Sequence, residues 1–163
     1  MIDGVDTSLI ENGDNVFVDA DSGTIELDGV LERHVVTCIL RHKGDVLLLQ
    51  RSNEVGSYRG RWAGVSGYIE EGESDLAAAR REASEEVGLR LTKPSARTTP
   101  QSFRSGDTVW VVHPFLFDVP SRRISIDWEH DEHKWVNPTE LRKYNTVPGL
   151  EAVVKGLLDG LIR

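Results

Sequence analysis

The chain has 163 residues, 39% hydrophobic and 28% charged, enough for one globular domain with a full core. Its net charge of −8 argues against a duplex nucleic-acid surface, and no run approaches the ~18 uninterrupted apolar residues of a membrane span. The single Cys38 excludes an intramolecular disulfide, and the acidic N-terminus lacks the apolar stretch of a signal peptide, so a soluble, cytoplasmic protein is expected.

Residues 1–14 are polar and read as a loose lead-in. Val16-Phe17-Val18-Asp19 and Thr24-Ile25-Glu26-Leu27 flank Ala20-Asp21-Ser22-Gly23, the pattern of a β-hairpin with a glycine turn. Covering a sheet edge is its simplest expected task. Residues 34–40 (His-Val-Val-Thr-Cys-Ile-Leu) and 46–49 (Val-Leu-Leu-Leu) are strands around a turn at 41–45. Their near-continuous apolar character predicts a sheet covered on both faces, with Cys38 a small core side chain. Arg51 has two readings, a surface cation at a strand end or a fork that holds a phosphate. Trp62 reads as a packing residue, and the small Gly64, Ser66 and Gly67 suit a place where backbone approaches a ligand closely.

A helix is predicted from Ser74, a natural N-cap, to Gly88, which can close it in the left-handed conformation. Leu76, Ala79, Ala83 and Val87 form a narrow apolar stripe. Glu82, Glu85 and Glu86 stand at i, i+3 and i+4 and are expected on the opposite face, where they repel one another. Carboxylates gathered without balancing cations suit a hard divalent ion such as Mg²⁺. After the helix come strands near 101–104 and over 108–119, where Pro114 implies a bulge or an unpaired backbone position. An acidic stretch, 127–136, ends in the short strand Trp135-Val136. His130 and His133 are spaced for zinc but lack a third clear ligand. Pro138 opens a short helix, and Leu150, Val153, Val154, Leu157, Leu158 and Leu161 give a last helix over 149–162 its core face.

The segment 67–89 resembles the Nudix signature, Gly-x5-Glu-x7-Arg-Glu-U-x-Glu-Glu-x-Gly-U with U apolar. Gly67, Glu73, Arg81, Glu82, Ala83, Glu85, Glu86, Gly88 and Leu89 fill every specified position. The resemblance implies an α/β fold, an α/β/α sandwich around a mixed sheet. It divides the chain into a Nudix domain over 34–163 and an N-terminal extension over 1–33 that carries the hairpin and packs on it. It also implies Mg²⁺-dependent cleavage, with Mn²⁺ as a substitute, of a pyrophosphate bond in a nucleoside diphosphate joined to another group. Such substrates are nucleoside triphosphates, nucleotide sugars and dinucleoside polyphosphates.

By the same resemblance Glu82, Glu85 and Glu86 are metal ligands, and the Ser66 carbonyl completes the shell. Glu73 and Arg81 brace the loop and orient Glu82, and Glu73 can join the metal. Glu129 is the expected general base, with Glu132 and Asp131 behind it, and Arg51 the expected phosphate contact. The acidic stretch before Trp135-Val136 resembles that of family members acting on nucleoside triphosphates and dinucleoside polyphosphates, so a nucleoside-phosphate substrate is favoured. The partner is a small molecule, and a homodimer is compatible with the family. Two other readings stand beside this one. A nucleotide-sensing module would have lost signature carboxylates, which this chain retains. An isoprenoid diphosphate isomerase needs a cysteine near Ser66, where Cys38 is not placed.

Overall fold

The computed structural model describes residues 6–161. A short 3-10 turn, Thr7–Leu9, leads to the hairpin strands β1 (Val16–Asp19) and β2 (Thr24–Leu27). The main sheet follows with β3 (Leu31–His42), β4 (Asp45–Arg51), β5 (Trp62–Ala63) and β6 (Val65–Tyr68). Helix α1 (Asp75–Val87) comes next, then β7 (Ala96–Arg97), β8 (Gln101–Ser105), β9 (Thr108–Asp118) and β10 (His130–Val136). A 3-10 segment, Pro138–Lys143, precedes α2 (Leu150–Asp159). Among the described residues no helix is long and apolar enough to cross a membrane.

The sheet is mixed, in the order β10-β4-β3-β9-β7, with β5 on β4, β6 on β3 and β8 on β9. Its centre is the parallel pair β3–β9, in unbroken register from Leu31↔Thr108 to Arg41↔Asp118. β3 turns into β4 through Lys43 and Gly44, both at positive φ, a tight two-residue hairpin. Along β3 the β-period of two sends successive side chains to opposite faces. Val36, Cys38 and Leu40 pack with Ala78, Ala79, Ala83 and Val87 of α1. Ile39 packs the other way, with Val153, Val154 and Leu157 of α2. Two covered faces therefore explain the continuous apolar runs, and the architecture is the α/β/α sandwich expected.

Several local expectations change. The hairpin forms a two-stranded sheet of its own and pairs with no strand of the main sheet, so it is not a hydrogen-bonded edge cover. The segment before it is tied down by Arg104 of β8, which donates to the Leu9 carbonyl and pairs with Asp14. Pro114 takes the second of its two expected forms, an unpaired position, and makes no bulge against β3. On its other side β8 pairing stops at Val112 and β7 pairing resumes at Phe115, so the proline sits where the neighbour is missing. β10 starts at His130, five residues before the predicted strand, and places Asp131 and Glu132 on an exposed strand rather than in an acidic loop. α2 ends at Asp159, which leaves Leu161 exposed and outside the core face, and Ile162 lies outside the described residues.

Candidate active site

Helix α1 starts where the Ser74 side chain accepts from the Ala77 N–H, and it ends on Gly88 at φ 69°. Both caps stand where the sequence puts them. The buried face does not. Ala78, Ala79, Glu82, Ala83, Glu86 and Val87 all lie inward, so Glu82 and Glu86 are on the packed side of the helix, not opposite it. Only Glu85 points outward, with its side chain 58% exposed. At about 100° per residue, Glu82 lies only ~40° from Ala78 and ~60° from Ala79, so alanines and glutamates share one arc of the helix. The alanines keep the helix close to the sheet, and Gly67 makes room for the acid. A Cβ at Gly67 would stand 2.1 Å from the Glu82 carboxyl carbon.

Around Glu82 the charges are arranged in a chain. Arg81 donates to both carboxylate oxygens of Glu73 at 3.0 Å and to the Tyr68 carbonyl at 2.9 Å. Its Nη1 donates to Glu82 Oε1 at 2.6 Å. Glu73 in turn accepts from the Glu70 N–H, so the loop before α1 is fastened to the helix through one guanidinium. The Arg81 hydrogen bonds hold the Glu73 carboxyl below the usual carboxylate range. Burial pushes the Glu82 carboxyl up, opposed by Arg81 and helped by the charges of Glu85 and Glu129.

Glu86 is more extreme. It is 2% exposed, and the backbone N–H of Ser66 donates to it at 3.3 Å. Burial first, then the charges of Glu82 and Glu129, push its carboxyl well above the ordinary value. Behind it stands the buried His130, whose Nε2 is 3.9 Å from Glu86 Oε2 and whose Nδ1 is 2.9 Å from Asp127 Oδ1. The Asp127 N–H also donates to the Glu86 carbonyl. The sequence offered no signal for this bracing by Asp127 and His130, because burial of a strand histidine depends on what packs over it. His133, its candidate zinc companion, is exposed.

Glu82 and Arg81 open onto a cleft of about 330 Å³, and Glu86 lies behind its wall. Glu82, Arg81, Ser66, Gly67, Glu129 and Arg51 line it together, although they come from four separate segments. Glu129 is thereby separated from Asp131 and Glu132, which do not reach the cleft. Arg51 faces it while its Nε donates to the Ser57 carbonyl at 2.9 Å. Trp62 stays in the core, edge-on to Tyr144, as a packing residue. Cys38 is fully buried, and burial followed by the Glu86 and Glu82 charges pushes its thiol up, which keeps it unreactive.

The family model for the NUDIX domain matches residues 30–157. The chain belongs to the Nudix family. Among its Nudix relatives, the nucleoside triphosphatase NudI of Salmonella schwarzengrund (strain CVM19633) is 30% identical over 142 residues, 78% of this chain and 99% of that protein. The protein of the same name from Klebsiella pneumoniae subsp. pneumoniae is 29% identical, over 77% of this chain and 98% of its own. The fold is shared with the MutT protein from Methanosarcina mazei Go1, at TM-score 0.70 and 22% identity, over 80% of this chain and 95% of that one. The E. coli dihydroneopterin triphosphate pyrophosphohydrolase superposes at TM-score 0.63 with 25% identity, over 80% and 99%. This Nudix chain is accordingly a pyrophosphohydrolase.

Nudix hydrolases generally use divalent metals, and the donor chemistry here fits one. The groups gathered at the helix and cleft are carboxylate and carbonyl oxygens, the set that Mg²⁺ and Mn²⁺ prefer. Glu82 and Glu86 stand one helical turn apart on the buried face, where burial first and neighbouring acidic charges second raise both carboxyls, and a cation relieves such repulsion. Among the described residues no three acidic or imidazole groups already converge as a finished cage, since Arg81 holds one oxygen of Glu82. The fit is one of chemistry and burial.

Proposed function

We propose that this Nudix hydrolase cleaves a phosphoanhydride bond of a nucleoside triphosphate with Mg²⁺, Mn²⁺ serving as a substitute. The observation that carries the reading is the pair of nearly buried carboxylates, Glu82 and Glu86, of which Glu82 lines a cleft together with Glu129 and Arg51. The names of the NudI relatives favour a triphosphate over a nucleotide sugar or a dinucleoside polyphosphate.

Glu82, Glu85 and Glu86, with the Ser66 carbonyl, are the residues that would hold the cation, and Glu73 is a further candidate through the Arg81 bracket. When bound, the cation neutralises the phosphates and lowers the pKa of the attacking water. Arg81 fixes Glu82 in one rotamer, a positioning duty carried by the 2.6 Å bond. Glu129 accepts the proton of the attacking water at its carboxylate. Arg51, with its Nε spent on Ser57, turns its terminal nitrogens to a phosphate of the substrate. Residues 34–163 form the working domain, and 1–33 are an appended extension.

The test is phosphate and pyrophosphate release from nucleoside triphosphates, nucleotide sugars and dinucleoside polyphosphates, with Mg²⁺ and with Mn²⁺. Turnover confined to triphosphates, and lost in Glu86→Gln and in Glu129→Gln, is the expected result. Full turnover in Glu129→Gln removes that residue as the base. Turnover only on another class replaces the substrate.

A further inference from the structure

The catalytic cleft continues into a second chamber of about 240 Å³ whose walls have the opposite chemistry. The two share Thr37, Ala63, Ser66, Phe103, Val112, Val147 and Pro148. The first holds Glu70, Arg81, Glu82, Glu129 and Arg51, whereas no side chain lining the second is ionisable. Strand alternation creates this annex. Thr37, Val112, Gln101 and Phe103 share the sheet face that carries Ile39 and Leu116. α2 packs on that face around Ile39, Val112 and Leu116 through Leu157 and its neighbours, and its first turns, with Leu150 and Val153, wall the annex on one side.

We propose that the annex is the nucleobase subsite of this enzyme, with Gln101 the residue that reads the base and Phe103 the wall it packs against. This deepens the triphosphate reading and rests on it. A polyanionic phosphate chain finds no countercharge in the annex, so it belongs at the charged end, near Arg51. The uncharged, planar base belongs at the neutral end, where the Thr37 hydroxyl and the Gln101 carboxamide supply both donors and acceptors. The Gln101 amide sits beside α2, its Nε2 3.9 Å from where a Gly156 Cβ would stand. Ser66, common to both chambers, marks the joint between phosphate and base. The other aromatic candidates, Tyr68 and Trp110, are paired with each other at 6.0 Å between centroids, too close to admit a base between them.

The experiment compares kcat/KM for the common nucleoside triphosphates and for inorganic tripolyphosphate, which has no base, in the wild type, Gln101→Leu and Tyr68→Ala. Gln101 is exposed, so its replacement does not threaten folding. The wild type is expected to rank the bases and to prefer its best nucleotide over tripolyphosphate. Gln101→Leu should compress that preference by about ten-fold, the effect of one lost hydrogen bond to the base, while Tyr68→Ala keeps the ranking. A ranking that is unchanged in Gln101→Leu, or that collapses in Tyr68→Ala instead, overturns the assignment. So does equal turnover of all bases and of tripolyphosphate. No turnover of any triphosphate, with turnover of another class, defeats the triphosphate reading instead.

Discussion

The two helices flank the same sheet and are built to opposite ends. α2 turns Leu150, Val153, Val154 and Leu157 inward and nothing charged. α1 turns inward three alanines, a valine and two glutamates. Each buried leucine of α2 contributes roughly 2 kcal/mol by leaving water, whereas an alanine contributes far less and a buried carboxylate opposes folding. α1 therefore gives up much of the stabilisation its position could provide, and what it obtains is a pair of rigid carboxylates in a dry setting. α2 contributes packing alone, whereas α1 contributes packing and the buried carboxylates together.

Glu86→Gln breaks the comparison most sharply. Turnover should fall by more than about a hundred-fold, beyond what the loss of an outer bracing residue usually costs. Metal-free Glu86→Gln should nevertheless melt higher than the wild type at neutral pH. Because the folded-state value of Glu86 is raised, its proton is bound more tightly folded than unfolded, so the wild type loses stability as pH rises through that value. The advantage of the variant should accordingly shrink as the pH is lowered. Thermal melts with EDTA across pH check this, and a lower melting point for the variant at every pH contradicts it.

Leu157→Ala is the mirror experiment. It opens a cavity under α2 and should cost about 2–5 kcal/mol in urea unfolding, while kcat of the remaining folded protein stays near wild type. Arg81→Lys keeps the charge but cannot span Glu73, Glu82 and the Tyr68 carbonyl, so turnover should drop about ten- to hundred-fold with little change in melting point. Arg104→Ala touches neither helix. It frees the Asp14 and Leu9 contacts, so limited proteolysis ahead of residue 31 should quicken while kcat/KM changes by less than about two-fold. A large loss of activity there would tie the N-terminal extension to the cleft.

What the sequence determined by itself is local or periodic. Ser74 and Gly88 bound α1 because capping depends on neighbouring backbone groups alone. The continuous apolar strands predicted a doubly covered sheet, and the spacing from Gly67 to Leu89 identified the family. What only the tertiary structure decided is which face of α1 meets the core, since alanine and glutamate share one arc and hydrophobicity alone does not rank it. That Glu129 lines the cleft while Asp131 and Glu132 lie on an exposed strand depended on where β10 begins, a matter of pairing with β4. The neutral annex, built from Thr37, Ala63, Gln101 and Pro148, exists only because β3, β5, β8 and the approach to α2 are brought together. Local rules act within a few residues, whereas burial is settled by whatever distant segment closes over a side chain.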